Sequence, residues 1–269
     1  MDERVLRELL QLETRGERAV LATVVRTRGS APQVSGARLL WTESGRLVGT
    51  VGGGSIELAV VERAKRVLQD GGAPELVEFD LGADLAMACG GAMDVFLELI
   101  APRPRLVIFG AGHVGREVAE IASRLGFERW VVDDRAEYAS EERFPGCRLL
   151  VQPFAEVARS FEPQNRDYLL IVTHGHRHDD LLLQAFVQGP QKYLGMIGSK
   201  TKVAEAFARL RASSVPEEAI ARVHSPVGLP IGALTPAEIG VSIVAELVQE
   251  LRRIPDGLQK ELYRGQAAE

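Results

Sequence analysis

The segment from Leu106 to Arg135 constrains the fold of this chain more than any other. The apolar run Leu106 to Phe109 reads as a strand. Gly110-Ala111-Gly112-His113-Val114-Gly115 follows at once, then a helical pattern to Leu125 that Gly126 ends, then the apolar run Trp130 to Val132, closed by Asp133. In a parallel βαβ unit Gly110 permits the tight turn, Gly112 lets a pyrophosphate approach the backbone, and Gly115 lets helix and strand pack closely. The helix N-terminus adds unpaired N–H donors and about half a positive charge. Asp133 stands where an acid accepts hydrogen bonds from ribose hydroxyls. That favours NAD over NADP, while Arg135 leaves NADP open. The expectation is a nucleotide cleft; its alternative is an inherited fold with an empty or repurposed pocket.

Further apolar runs, Leu149 to Val151, Tyr168 to Val172 and Tyr193 to Ile197, continue the alternation of strand and helix. They predict a Rossmann-like, doubly wound parallel sheet over residues 106–255. Thr235-Pro236-Ala237-Glu238 carries a capping box with proline in the first turn, and so opens a last helix. The polar residues 256–269 read as a tail.

Upstream, Ala101-Pro102-Arg103-Pro104-Arg105 is held extended by two prolines, which marks a linker over 102–105. Residues 1–101 then form an N-terminal mixed α/β domain. Its expected elements are a helix over 2–14, a strand from Ala19 to Val25 and a loop from Arg26 to Gly36. A hairpin follows, Ala37 to Trp41 with Arg46 to Val51, around Glu43-Ser44-Gly45. A helix from Ile56 to Leu68, with Glu62 and Arg66 as an outer i,i+4 pair, is stopped by Gly71-Gly72. Leu76 to Phe79 and Met93 to Ile100 are the remaining strands. A length of 269 residues gives each half a sizeable core.

Bulk properties narrow the function classes. The net charge is -5 and no basic block stands out, which argues against nucleic-acid binding. No apolar run approaches the ~20 residues that span a bilayer. Met1-Asp2-Glu3-Arg4 opens no signal-peptide core, and two cysteines make no disulfide framework. The expectation is a soluble, cytoplasmic protein.

Four further motifs carry chemistry. Val51-Gly52-Gly53-Gly54-Ser55-Ile56-Glu57 joins a strand to a helix, either as a bare turn or as an anion cradle in which Ser55 caps the helix. Arg28-Gly29-Ser30-Ala31-Pro32 brackets the same hairpin; Arg28 and Ser30 with backbone amides suit an anion. Cys89, before Gly90-Gly91, is either a small buried hydrophobe or a thiolate able to ligate a soft metal or carry sulfur. Cys147 reads as structural. Thr173-His174-Gly175-His176-Arg177-His178-Asp179-Asp180 superficially resembles the T-H-x-H-x-D-H zinc motif of metallo-β-lactamase-type hydrolases. The order differs, since Asp179 follows the third histidine, and only His224 remains downstream. Its place beyond a strand points to ligand contact or a capped turn ahead of a dedicated metal site.

Taken together, these blocks resemble the XdhC/CoxI family, accessory proteins of xanthine dehydrogenase and related molybdenum hydroxylases. The resemblance rests on the order of Arg28 to Pro32, Gly49 to Glu57, Ala88-Cys89-Gly90-Gly91, Phe109 to Gly115 and Val132-Asp133-Asp134-Arg135. Thr173 to His176, Gly195-Met196-Ile197-Gly198-Ser199-Lys200 and His224-Ser225-Pro226-Val227-Gly228-Leu229 complete it. It implies a homodimeric chaperone, more a maturation factor than a conventional enzyme. Such a factor binds molybdenum cofactor (molybdopterin or its nucleotide form), supports its sulfuration with a partner cysteine desulfurase, and delivers it to the hydroxylase. Carried over onto this chain, Cys89 becomes the candidate catalytic thiolate and molybdenum ligand. The cofactor-binding set is Arg28, Ser30, Gly52, Gly53, Gly54, Ser55, Gly110, Gly112, His113, Gly115, Asp133, His174, His176 and Ser199, with NAD(P) or another nucleotide as a possible occupant of the Rossmann cleft. At Ser55 many relatives carry cysteine or histidine, so a sulfur-transfer role does not carry over to that position. The other functions weighed are an NAD-dependent oxidoreductase, with His174 or His176 as acid or base, and a nucleotide-sensing module without chemistry.

Overall fold

The computed structural model describes residues 2–69, 73–82 and 90–252. Cys89, Gly71-Gly72 and the tail over 256–269 lie outside the described residues. After Pro102 the chain divides into two compact units.

The first unit opens with α1 (Glu3–Arg15), whose N-cap Asp2 accepts the Arg4 amide and whose end Gly16 closes in the left-handed region. Then come β1 (Ala19–Arg28), β2 (Arg38–Thr42), β3 (Leu47–Gly49), α2 (Ser55–Gln69), β4 (Glu75–Asp80) and β5 (Ala92–Ile100). The strands form one antiparallel sheet in the order β3-β2-β1-β5-β4. Val20, Ala22 and Val24 from β1 and Val95 and Leu97 from β5 bury one face against Ile56, Val60 and Ala64 of α2.

Two local expectations are corrected. Arg26, Thr27 and Arg28 read as loop because they are polar, yet they continue β1 and pair with Asp94, Met93 and Ala92 of β5. A register shift at Val25 turns the strand there, and the arginines take carboxylate partners across the sheet. Glu62 meets Lys65 one turn on rather than Arg66.

The second unit runs β6 (Arg105–Phe109), α3 (His113–Ala122), β7 (Glu128–Asp133), β8 (Arg148–Val151), α4 (Phe154–Ser160) and β9 (Asp167–Ile171). It continues with α5 (His176–Phe186), β10 (Tyr193–Met196), α6 (Lys200–Ala212), α7 (Glu217–Ala221), β11 (Val223–His224) and α8 (Pro236–Leu251). Its sheet has the order β11-β10-β9-β6-β7-β8, and all its pairings are parallel. The chain runs outward from β6 to β8, then returns to β9 on the other side. The topological switch point therefore lies between β6 and β9. Both sheet faces are covered, so β6 and β9 are buried along their whole length.

The opposite ends of β6 and β9 are pinned by charge. Arg105 and Asp167 are register partners and make two hydrogen bonds, 2.7 and 2.6 Å, almost fully buried. The guanidinium also lies 4.5 Å from the Trp130 ring centroid. Thr235 and Glu238 complete the expected capping box at the start of α8. No helix among the described residues is long and apolar enough to cross a membrane.

Candidate functional site

In the second unit the candidate site sits at the carboxyl ends of β6, β7 and β9. Gly110 follows β6 with φ +120°, and a Cβ there would fall 2.3 Å from the Val172 carbonyl oxygen. The glycine turn thus presses directly on the chain leaving β9. A Cβ at Gly115 would fall 2.1 Å from the Gly110 carbonyl oxygen, so this glycine lets α3 close on the turn. At Gly112 a Cβ would meet nothing within 4 Å. Gly112 is the N-cap of α3, with no side-chain cap, and His113 is the exposed first helical residue. The helix end faces open space, as an anion cradle requires.

Asp133 is engaged within the protein. It is fully buried, its Oδ2 accepts the Ala111 amide at 2.7 Å, and its Oδ1 accepts the Arg135 amide at 3.1 Å. The Arg135 guanidinium bonds both oxygens. Burial pushes this carboxyl up, but the Arg135 side chain and the two amides outweigh it and hold it below its ordinary value. Asp133 orders the glycine turn, and a ribose would have to displace Arg135 to reach it.

The histidine motif splits in two. Thr173 Oγ1 lies 2.6 Å from Asp179 Oδ1 and accepts the Gly175 amide, which sets the turn into α5. Asp179 is thereby turned inward; burial pushes its carboxyl up against the pull of Thr173. His174 and His178 face one another, ring centroids 5.2 Å apart, with Phe154 packed on both. Their nitrogens lie within 4.8 Å of each other and of a carboxylate oxygen of Asp134. His176 instead lines a separate pocket of about 440 Å³ with Asp179, Ser199, Lys202 and Arg209. Ser199 is the N-cap of α6 and accepts the Lys202 amide.

In the first unit the structure brings three blocks together. Gly52, Gly53 and Gly54 have φ of +139°, +74° and +62°, which explains three glycines in a row. A Cβ at Gly52 would fall 2.5 Å from Pro32, while Gly53 and Gly54 face open space. Ser30 bridges Gly90, and a Cβ at Gly91 would collide with the Arg28 and Ser30 carbonyl oxygens. The Arg28–Pro32 segment therefore lies against both the triple glycine and the Gly90-Gly91 pair that follows Cys89. Ser55 is not the helix cap: the Leu58 amide bonds the Gly54 carbonyl, which makes Gly54 the N-cap and Ser55 the first helical residue. Arg28 is committed to Glu78 and Asp94. Its charge offsets acids and is not held free for an anion.

Sequence reasoning missed Thr50, Arg135 and Asp134 as organising residues. Thr50 Oγ1 accepts the Gly52 amide at 3.1 Å and donates to Glu57, tying the glycine turn to the first turn of α2. Asp134 is the exposed residue that follows β7, and nothing local to it marks a ligand.

The family model described as XdhC Rossmann domain matches residues 106–247, and that described as XdhC and CoxI family matches residues 12–80. Uncharacterized protein YqeB of Escherichia coli (strain K12) is 37% identical over 94% of this chain and 47% of its own length. The chain thus spans about half of that relative. A probable xanthine dehydrogenase component of Bacillus subtilis (strain 168) is 26% identical, covering 88% of this chain and 94% of that protein. Molybdenum cofactor insertion chaperone PaoD of Escherichia coli (strain K12) is 21% identical, covering 90% and 86%. A solved structure described as a xanthine dehydrogenase from Bacillus halodurans shares the fold, with a TM-score of 0.53 at 24% identity over 93% of this chain and 96% of that one.

Proposed function

The chain belongs to the XdhC and CoxI family, and on that premise we propose that it is an accessory chaperone for molybdenum cofactor. It takes the cofactor as cargo, supports its sulfuration and delivers it to a xanthine dehydrogenase-type hydroxylase. The observation that carries this reading is the convergence of Arg28–Pro32, Gly52–Gly54 and Gly90-Gly91 in one unit. Gly53 and Gly54, at positive φ with open space where a Cβ would stand, leave room at the turn for a pterin phosphate. Gly90-Gly91 continues directly from Cys89, whose thiolate suits molybdenum and its sulfide. A site made of loops suits a cargo that must be released.

The likeness to PaoD, a chaperone that inserts molybdenum cofactor, supports the same reading. A cysteine desulfurase as sulfur donor, a homodimer and a cytoplasmic setting belong to it. The oxidoreductase reading loses support, because the acid a dinucleotide ribose would use is held by Arg135.

The test is anaerobic. The purified chain is mixed with molybdenum cofactor and passed over a sizing column, the oxidised pterin is read by fluorescence, and an apo-hydroxylase is then activated. Co-elution and activation are expected, with Cys89→Ser retaining the fold but losing about tenfold in retention or activation. Absence of both co-elution and activation overturns the proposal.

A further inference from the structure

We propose that Asp134, His174 and His178 form a binding site for a divalent first-row transition-metal ion. The three side chains come from two chain segments that the sheet brings together, the carboxyl end of β7 and the turn from β9 into α5. One nitrogen from each imidazole and one Asp134 oxygen all lie within 4.8 Å of one another. A tetrahedral zinc ion with ligands at about 2.0–2.1 Å holds its donors about 3.3 Å apart. Rotamer adjustments of about 1 Å close the cluster on an ion, with no movement of the sheet.

The surroundings are built for that geometry. Phe154 lies 5.0 Å from the His178 ring and 6.2 Å from the His174 ring, an apolar wall that orients both. The Thr173 bonds to Asp179 and Gly175 fix the turn that carries His174 against the first turn of α5, which carries His178. Asp134 makes a long 3.9 Å approach to Arg135, whose closer partner is Asp133, so its carboxylate keeps room for a cation.

The donor set names the class of ion. Two imidazoles and one carboxylate are borderline ligands that suit zinc, iron(II), cobalt, nickel or manganese; calcium and magnesium prefer all-oxygen shells. Three protein donors leave at least one coordination position open, and His174 and Asp134 are exposed. The linear motif hid the site because its acid, Asp179, points the wrong way. The third ligand lies far upstream, in the segment that follows β7.

The test uses the full chain, stripped with chelator and titrated with Zn²⁺ against a chromophoric chelator, and in parallel with Co²⁺ by visible absorption. One ion per chain with a Kd of about 1 µM or tighter is expected. The Co²⁺ bands should lack a thiolate charge-transfer component. His174→Ala and His178→Ala should abolish uptake, and Asp134→Asn should weaken it about tenfold or more. His176→Ala and Cys89→Ser should leave it unchanged. Circular dichroism and melting of the stripped variants establish that the fold is intact. Should His178→Ala unfold, the exposed His174 and Asp134 variants decide. Uptake weaker than about 100 µM, or uptake lost in Cys89→Ser and kept in the histidine variants, overturns the proposal. The titration contains no pterin, so its failure leaves the chaperone reading standing, and the reverse holds too.

Discussion

Arg135 closes over Asp133: its Nε lies 2.9 Å from Oδ1 and its terminal nitrogen 3.0 Å from Oδ2. The carboxylate so fixed accepts the Ala111 amide and holds the turn between β6 and α3 in place. Asp133→Asn leaves Arg135 without its counter-charge and should cost about 3 kcal/mol at neutral pH. Because the folded carboxyl titrates below its unfolded value, its contribution is fully present above about pH 3.9 and fades as pH falls through the folded pKa. The gap between wild type and variant in urea unfolding should therefore hold from pH 7 to about 4 and narrow over the acid range below that. A gap that stays constant over that range would show that shape, not charge, sets the effect.

The two glycines that flank Ala111 should respond unequally to alanine. Gly110→Ala places a Cβ 2.3 Å from the Val172 carbonyl at φ +120° and should lower stability by several kcal/mol, on the order of 3 or more. Gly112→Ala enters open space with an ordinary φ of -73° and should cost about 1 kcal/mol or less. Chemical denaturation of both variants checks this. Equal losses would mean that the close approach of the turn to the β9 exit is not what selects glycine.

Much of the second unit was legible because its signals are local. Gly115 answers to a clash with the Gly110 carbonyl five residues before it, and buried parallel strands read as unbroken apolar runs. Illegible were features that depend on distant neighbours. Arg26 and Arg28 look like loop until Asp94 and Glu78 arrive from β5 and β4. Val223–His224 is too short to show a period yet extends the sheet beside β10. Asp134 acquires meaning only when the sheet sets β7 near β9. Ser55 reads as a cap because serine favours that position, but the left-handed Gly54 takes it.

Within the triple glycine, the positions should separate packing from cargo. Gly52→Ala drives a Cβ to 2.5 Å from Pro32 and should destabilise the first unit. Gly53→Ala and Gly54→Ala meet no atom within 4 Å and should cost only the left-handed backbone penalty, about 1–2 kcal/mol each. If the turn cradles the pterin phosphate, both should still lose molybdenum cofactor on the sizing column. Full retention by the double variant, correctly folded, would remove this turn from the cargo site.

Glu246 on α8 should prove the keystone of the β10–β11 edge. Its Oε2 accepts the Gly228 amide at 2.5 Å and the Tyr193 hydroxyl at 3.1 Å, and its Oε1 lies 2.7 Å from His224 Nδ1. Burial pushes this carboxyl up, yet His224 and the Gly228 amide outweigh it and keep it ionised. Glu246→Gln has nearly the same shape, but its amide oxygen is a neutral acceptor for Gly228 and Tyr193 and its NH₂ can only donate, which forces His224 Nδ1 into the acceptor role. Bonds to a carboxylate become bonds to a neutral amide, which should cost about 2 kcal/mol in urea unfolding. The Gly228 amide reports the change directly: its hydrogen-exchange protection should fall in the variant while the α3 amides keep theirs. Unchanged protection at Gly228, with stability within about 0.5 kcal/mol of wild type, would show that Gly228 is held by the chain around it and not by Glu246.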